Sequence, residues 1–179
     1  LISTDKAVNP TNVMGTSKLM GERLMTAANS HKKNKGPVFA STRFGNVLGS
    51  NGSVVQIFNN QIAFGDTVTL THREMTRFVM SVQESVKLVI DSALIAKGGE
   101  VFITKMPVMR IEDLAKVMIN KLAPKYGKDP NGFKITEIGA KPGEKLYEEL
   151  MSSEETQRSI ELKNYFSVTP AFKGVYNTI

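Results

Sequence analysis

The residues of this chain best suited to moving protons lie side by side near its start. Asp5 and Lys6 follow the hydroxyl of Thr4. A carboxyl group can give up or take a proton, and an amine works as a base where burial or neighbouring cations disfavour its charged form. Beside a strand end the same residues are also ordinary solvated turn residues. Lys18 stands four residues after Met14, so the two share one helix face, and the thioether of Met14 cannot exchange a proton. Lys18 is also four residues before Glu22, the spacing of an exposed ion pair. Arg77 can offer two donors in one plane to a phosphate, or pair with nearby Glu74. Two histidines, His31 and His72, cannot form a metal cluster alone, and the absence of cysteine excludes disulfides and thiolate metal sites. No metal is expected.

Hydrophobic spacing predicts the elements that must hold these groups. Val13, Met14, Leu19, Met20, Leu24 and Met25 recur with helical spacing, as in Val13, Met20 and Leu24 at intervals of seven and four, giving a helix from Pro10 to Ser30 with Asn9 as its cap. Val38 to Phe44 reads as a strand and Gly49 to Gly52 as a turn. A helix over Val54 to Phe64 and a strand over Thr67 to Thr71 follow. Ser81 and Glu84 form a capping box that opens a helix to Ala96, ended by Gly98-Gly99. Glu100 to Thr104 is a strand, Ile111 to Leu122 a helix, Phe133 to Ile138 a strand, and Gly143 to Met151 a last helix, with Glu144 in its first turn complementing the helix dipole. Strands alternating with helices predict an α/β architecture with a parallel sheet covered on both faces. Residues 152–179 are less regular and read as a C-terminal extension or small lobe after a main domain over 1–151.

The chain has 179 residues, 41% hydrophobic and 22% charged, the composition of an ordinary globular unit. No apolar run reaches about 18 residues, so no membrane span is expected. Leu1 to Asn9 lack the features of a signal peptide. Together with the missing cysteines this points to a cytoplasmic protein. The net charge of +6 suits nucleic acid or a small anionic substrate. The densest basic run, His31 to Lys35, reads as a solvated helix C-terminus, since no aromatics interleave with its lysines to stack on bases. Nucleic acid is therefore not an expected partner.

Four segments carry more specific information. Ser3-Thr-Asp-Lys-Ala7 with Asn9-Pro10 and Met14-Gly-Thr-Ser-Lys18, then Arg43-Phe-Gly-Asn-Val-Leu-Gly49, Met75-Thr-Arg-Phe78 and Pro142-Gly-Glu-Lys145 resemble, in this order and spacing, the polysaccharide-biosynthesis nucleotide-sugar dehydratases, extended short-chain dehydrogenases that act on UDP-N-acetylglucosamine. The resemblance runs to about Ser153. It implies a Rossmann-like doubly wound parallel sheet, of which this chain holds the C-terminal half, with a small substrate-binding α/β lobe. It also implies NADP or NAD as cofactor, a UDP-sugar as partner and a homo-oligomer. The Gly-rich cofactor loop of the family has no counterpart here, because Gly45, Gly49 and Gly52 are spaced wrongly for G-x-G-x-x-G. The chain thus reads as entering the fold at its fifth strand. It is expected to be part of a longer protein and to be inactive alone.

By the same resemblance, Asp5 is the acid at the C6 hydroxyl, Lys6 takes the C5 proton, and Thr4 hydrogen-bonds the sugar. Lys18 holds the nicotinamide ribose. Met14 stands at the usual tyrosine position, and Asp5 takes over the missing tyrosine's task. Asn46 and Arg77 fall to the diphosphate region, and Glu144 and Lys145 to ribose and phosphate contacts. Asn51 stands where many relatives have arginine. The predicted function is an NAD(P)-dependent UDP-N-acetylhexosamine 4,6-dehydratase. Its rivals are a 4-epimerase of the same fold and a non-catalytic sugar-nucleotide-binding module, which the missing glycine loop and Met14 favour.

Overall fold

The computed structural model describes residues 1–31 and 36–171. In chain order the elements are β1 (Ile2–Thr4), α1 (Val13–His31), β2 (Ser41–Phe44), β3 (Asn46–Val47), α2 (Val54–Phe64), β4 (Thr67–Leu70), β5 (Thr76–Met80), α3 (Val82–Ile95), β6 (Val101–Thr104), β7 (Val108–Arg110), α4 (Ile111–Leu122), β8 (Lys134–Glu137), α5 (Ser153–Gln157), β9 (Ser159–Glu161) and β10 (Tyr165–Val168). The chain forms two compact units.

The first unit comprises residues 1–45, 80–106 and 148–179. Its five-stranded sheet has the order β1-β2-β6-β10-β9. β1 pairs parallel with β2 in the register Ile2 to Thr42, and β2 pairs parallel with β6 in the register Ser41 to Val101. All four residues of β6 are buried, as a strand covered on both faces requires. Helix α1 packs on β1, and α3 packs on β2 and β6. Leu88, Phe102 and Tyr165 form the centre of that packing. The sheet is not wholly parallel, because β10 runs antiparallel to both β6 and β9. The described part of 152–179 therefore completes the main sheet, in place of the separate extension or lobe that its irregular pattern predicts.

The second unit is made from residues 46–79 and 107–147. Its core joins Phe58 and Ile62 of α2, Val68 and Leu70 of β4, and Ile111, Ala115, Met118 and Ile119 of α4. β4 pairs parallel with β8, and β5 pairs antiparallel with β7. Both α2 and α4 have the limits that their apolar spacing predicts.

Two local expectations fail. The N-terminal cap of α1 is Asn12, whose Oδ1 accepts from the Gly15 amide at 2.9 Å, while Asn9 lies outside the helix with φ 42°. No helix forms over Gly143 to Met151. Pro142 and Gly143 make a tight turn in which the Glu144 amide donates to the Lys141 carbonyl at 3.0 Å, and Gly143 takes φ 77°. A proline followed by a residue of positive φ favours a reverse turn over a helix start. The nearby helix is the short α5, opened by a capping box between Ser152 and Glu155. The expectation for the run His31 to Lys35 falls on residues 32–35, outside the described residues. Among the described residues no helix is long and apolar enough to cross a membrane.

Candidate functional site

The first unit brings Thr4, Asp5 and Lys6 together where β1 ends and a single 3-10 turn, Asp5–Ala7, begins. The Thr4 hydroxyl caps that turn by accepting from the Lys6 amide, and donates to Asp5 Oδ1 at 2.8 Å. Lys6 Nζ donates to the same oxygen at 2.9 Å. Asp5 is fully buried, and its Oδ2 has no hydrogen-bond partner among the described residues. A buried carboxylate oxygen held ready without a partner costs free energy unless a ligand or water serves it. Asp5 is therefore a marked group of this unit.

Helix α1 lies against this turn because residue 15 is glycine. A Cβ there would stand 2.2 Å from the Lys6 carbonyl oxygen. Lys18, farther along α1, is half-buried and donates from Nζ to the Ile2 carbonyl at 3.1 Å. The alternative reading of Lys18 as an ion-pair partner of Glu22 finds no such pair among the described residues. Met14 is 47% exposed on the same helix. Glu148, which no sequence pattern singles out, places Oε1 3.8 Å from Lys6 Nζ. It follows a turn whose residues have the spacing of a helix, so no periodicity marks it.

Glu22 instead belongs to an ion cluster around Arg43, which is fully buried. Arg43 Nε and Nη2 donate to Glu22 at 3.1 and 2.6 Å, Nη1 and Nη2 donate to Glu155 at 3.1 Å each, and Nη1 donates to the Leu150 carbonyl at 2.8 Å. Burial alone would favour the neutral guanidine, but the bonds and charges of Glu22 and Glu155 outweigh it and raise Arg43 above its ordinary value. Burial likewise opposes charge on Glu155, yet its bonds to Arg43 and to the Ser152 amide hold it below the usual carboxylate range. The first residue of the Arg43–Gly49 motif thus holds the unit together, with every donor engaged.

The second unit contains a cavity of about 240 Å³ lined by Asn46, Arg77 and Glu144 over an apolar wall that includes Ile57, Phe58 and Ile138. Three of the four residues expected to bind substrate outside the proton-transfer group meet here, and Lys145 is not among the lining residues. Lys141, outside every motif read from the sequence, is. Arg77 is 6% exposed; Nη1 donates to the carbonyls of Thr76 and Leu146, and Nη2 to Glu144 Oε1 at 3.4 Å. Its acidic partner is thus Glu144, not Glu74. An anion with an apolar ring attached matches this chemistry of one guanidinium, one amine and an apolar wall.

Residues 1–170 match the family described as polysaccharide biosynthesis protein. An uncharacterized membrane protein of Methanocaldococcus jannaschii is 54% identical over 169 residues, covering 94% of this chain and 51% of that protein. The inverting UDP-N-acetylglucosamine 4,6-dehydratase of Campylobacter jejuni is 40% identical over 175 residues, covering 97% and 49%. A UDP-glucose 4-epimerase of Rickettsia bellii is 41% identical over 168 residues, covering 94% and 47%. The chain spans about half the length of these curated relatives. The structure of Pen from Bacillus thuringiensis superposes with a TM-score of 0.89 at 45% identity, over 95% of this chain and 52% of that one. A dTDP-glucose 4,6-dehydratase from Streptomyces venezuelae, solved with NAD, shares the fold at a TM-score of 0.69 and 15% identity, over 87% of this chain and 52% of that one.

Proposed function

This chain belongs to the polysaccharide biosynthesis protein family, and from that we propose that it is the proton-transfer and substrate-binding part of a nucleotide-sugar 4,6-dehydratase acting on a UDP-N-acetylhexosamine. The observation that carries the reading is Asp5, a buried carboxylate with one oxygen on Thr4 and Lys6 and the other without a hydrogen-bond partner among the described residues. Elimination of water across C5 and C6 needs a base at C5 and an acid at the C6 oxygen. Lys6 takes the C5 proton, Asp5 protonates the departing C6 hydroxyl, and Thr4 orients the sugar. Asp5 also accepts the C4 hydroxyl proton, because Met14 cannot. A 4-epimerase has no need of the eliminating pair.

A nicotinamide dinucleotide, NAD or NADP, supplies the hydride acceptor and donor when bound. Of this chain's residues Lys18 fits its ribose: one N–H of the ammonium is bound to the Ile2 carbonyl, and a primary ammonium has three donors. In the second unit, Arg77 and Asn46 take the diphosphate of the UDP-sugar, Glu144 its ribose, and the apolar wall the base, with Lys141, which lines the cavity, a further phosphate contact in place of Lys145. The test is to measure the intact mass of the purified protein and incubate it with UDP-N-acetylglucosamine and NADP or NAD. A 4-keto-6-deoxy product supports the reading. A C4 epimer that keeps its C6 hydroxyl, or saturable UDP-sugar binding without turnover by a protein much heavier than 19.7 kDa, overturns it.

A further inference from the structure

Lys6 meets a second carboxylate that the Thr4-Asp5-Lys6 triplet does not contain. Its Nζ lies 2.9 Å from Asp5 Oδ1 and 3.8 Å from Glu148 Oε1, and the side chain of Glu148 is 3% exposed. The next residue, Glu149, accepts at Oε2 from Asn9 Nδ2 at 2.9 Å. Farther on, the Leu150 carbonyl and the Glu155 carboxylate are both bound by Arg43. The segment 148–155 is therefore fastened to the start of the chain on either side of α1, and Glu148 is its contact with the amine.

We infer that Glu148 is a positioning residue for Lys6, an inference that rests on the function proposed above. A lysine side chain has several rotatable bonds to immobilise and no planar fork to fix its direction. Asp5 alone is a poor anchor for it, because Asp5 must hand over a proton in the same step. The proton balance shows why a second carboxylate matters. The pair enters the cycle as the Lys6 amine and the Asp5 carboxylate, joined by their 2.9 Å hydrogen bond, and Asp5 becomes a carboxylic acid on accepting the C4 hydroxyl proton. The C5–H bond then breaks with its proton going to the Lys6 amine, its electron pair forms the C5–C6 double bond, and the C6–O bond breaks as Asp5 delivers a proton to the leaving oxygen. Water departs, leaving an ammonium and a carboxylate, and the ammonium returns its proton to C5 as C6 is reduced, which restores the amine. Glu148 takes no proton in this cycle. It gives the amine a fixed partner while Asp5 is neutral and places a negative charge beside the ammonium that forms, the kind of stabilisation that needs no reorganisation at the moment of reaction.

The experiment uses the full-length protein and Glu148→Gln, which keeps the shape and removes the charge. We expect kcat for the 4-keto-6-deoxy product to fall on the order of 10- to 100-fold, with KM within about twofold and nicotinamide reduction in a single turnover retained. Glu148→Asp should restore part of the loss. Independently of turnover, amine acylation of Lys6 followed by mass spectrometry should run several-fold faster in Glu148→Gln, because the amine has lost its anchor. Unchanged acylation of Lys6 overturns the positioning role, whatever the rates do. Faster acylation in a protein whose wild type forms no 4-keto-6-deoxy product keeps the role of Glu148 and rejects the dehydratase reading instead.

Discussion

Asp5 and Arg77 make different demands on their surroundings, and their substitutions should separate accordingly. Asp5→Asn keeps the shape of the side chain and the acceptor for Lys6 but cannot carry a proton. Product formation by the full-length protein should fall by about 10²- to 10⁴-fold, the range of a lost general acid, while binding of the UDP-sugar measured by calorimetry stays. Arg77→Lys retains the charge and loses the planar pair of donors. It should raise KM for the UDP-sugar by about tenfold, the loss of one charge-assisted hydrogen bond, and leave kcat near its original value. Equal loss of kcat in both variants would contradict the division of labour between the two units. Lys18 and Met14 show what the residue scale can conceal. Four residues apart they share a helix face, yet one is bound to the Ile2 carbonyl and the other is 47% exposed.

At the level of elements, α1 depends on a glycine that has no conformational reason to be one. Gly15 sits within a regular helix and is needed for space, since a Cβ would come within 2.2 Å of the Lys6 carbonyl oxygen. That obstacle is backbone, so it cannot swing aside. Gly15→Ala improves helix propensity by roughly 1 kcal/mol and still should destabilise the fold, by about 1–3 kcal/mol for overpacking. A thermal melt checks the sign: a raised Tm would mean that α1 does not need this approach. Ser81 gives the opposite case. Its side chain caps α3 by accepting from the Glu84 amide at 3.1 Å, and Glu84 reaches back to the Ser81 amide at 2.6 Å. The two residues are three apart in the chain, which is why this box is legible from residue types and spacing alone.

The whole first unit is held by Arg43, whose partners come from α1, α5 and the segment before α5. Removing one side of a buried ion cluster leaves uncompensated charge, so Arg43→Met should cost about 3–5 kcal/mol, measured by urea unfolding. The cluster also sets a pH dependence. The carboxyl of Glu155 is held below its ordinary value of 4.5, so its contribution to stability is complete above that pH and is lost as the pH falls through the lower folded-state value. Urea midpoints should therefore decline as the pH drops below about 4.5, and Glu155→Gln should flatten that decline. A slope identical to wild type would place the acid sensitivity elsewhere.

The sequence alone determined those elements whose causes are local. Helices Val54–Phe64 and Ile111–Leu122 follow from apolar spacing, and the start of α3 from its capping box. The grouping of Thr4, Asp5 and Lys6 is equally legible, because adjacent residues at a strand end cannot be far apart. Only the tertiary structure decided the rest. Gly143 to Met151 has helical spacing, but the Pro142-Gly143 turn takes its backbone, and β9 and β10 join the main sheet through an antiparallel ladder to β6. Glu22 pairs with Arg43 in place of Lys18, and Glu148 comes to Lys6 from the far end of the chain. Periodicity and capping report interactions within a few residues. An ion pair between residues 22 and 43, or 6 and 148, depends on where the whole chain carries its segments, and so leaves no local trace.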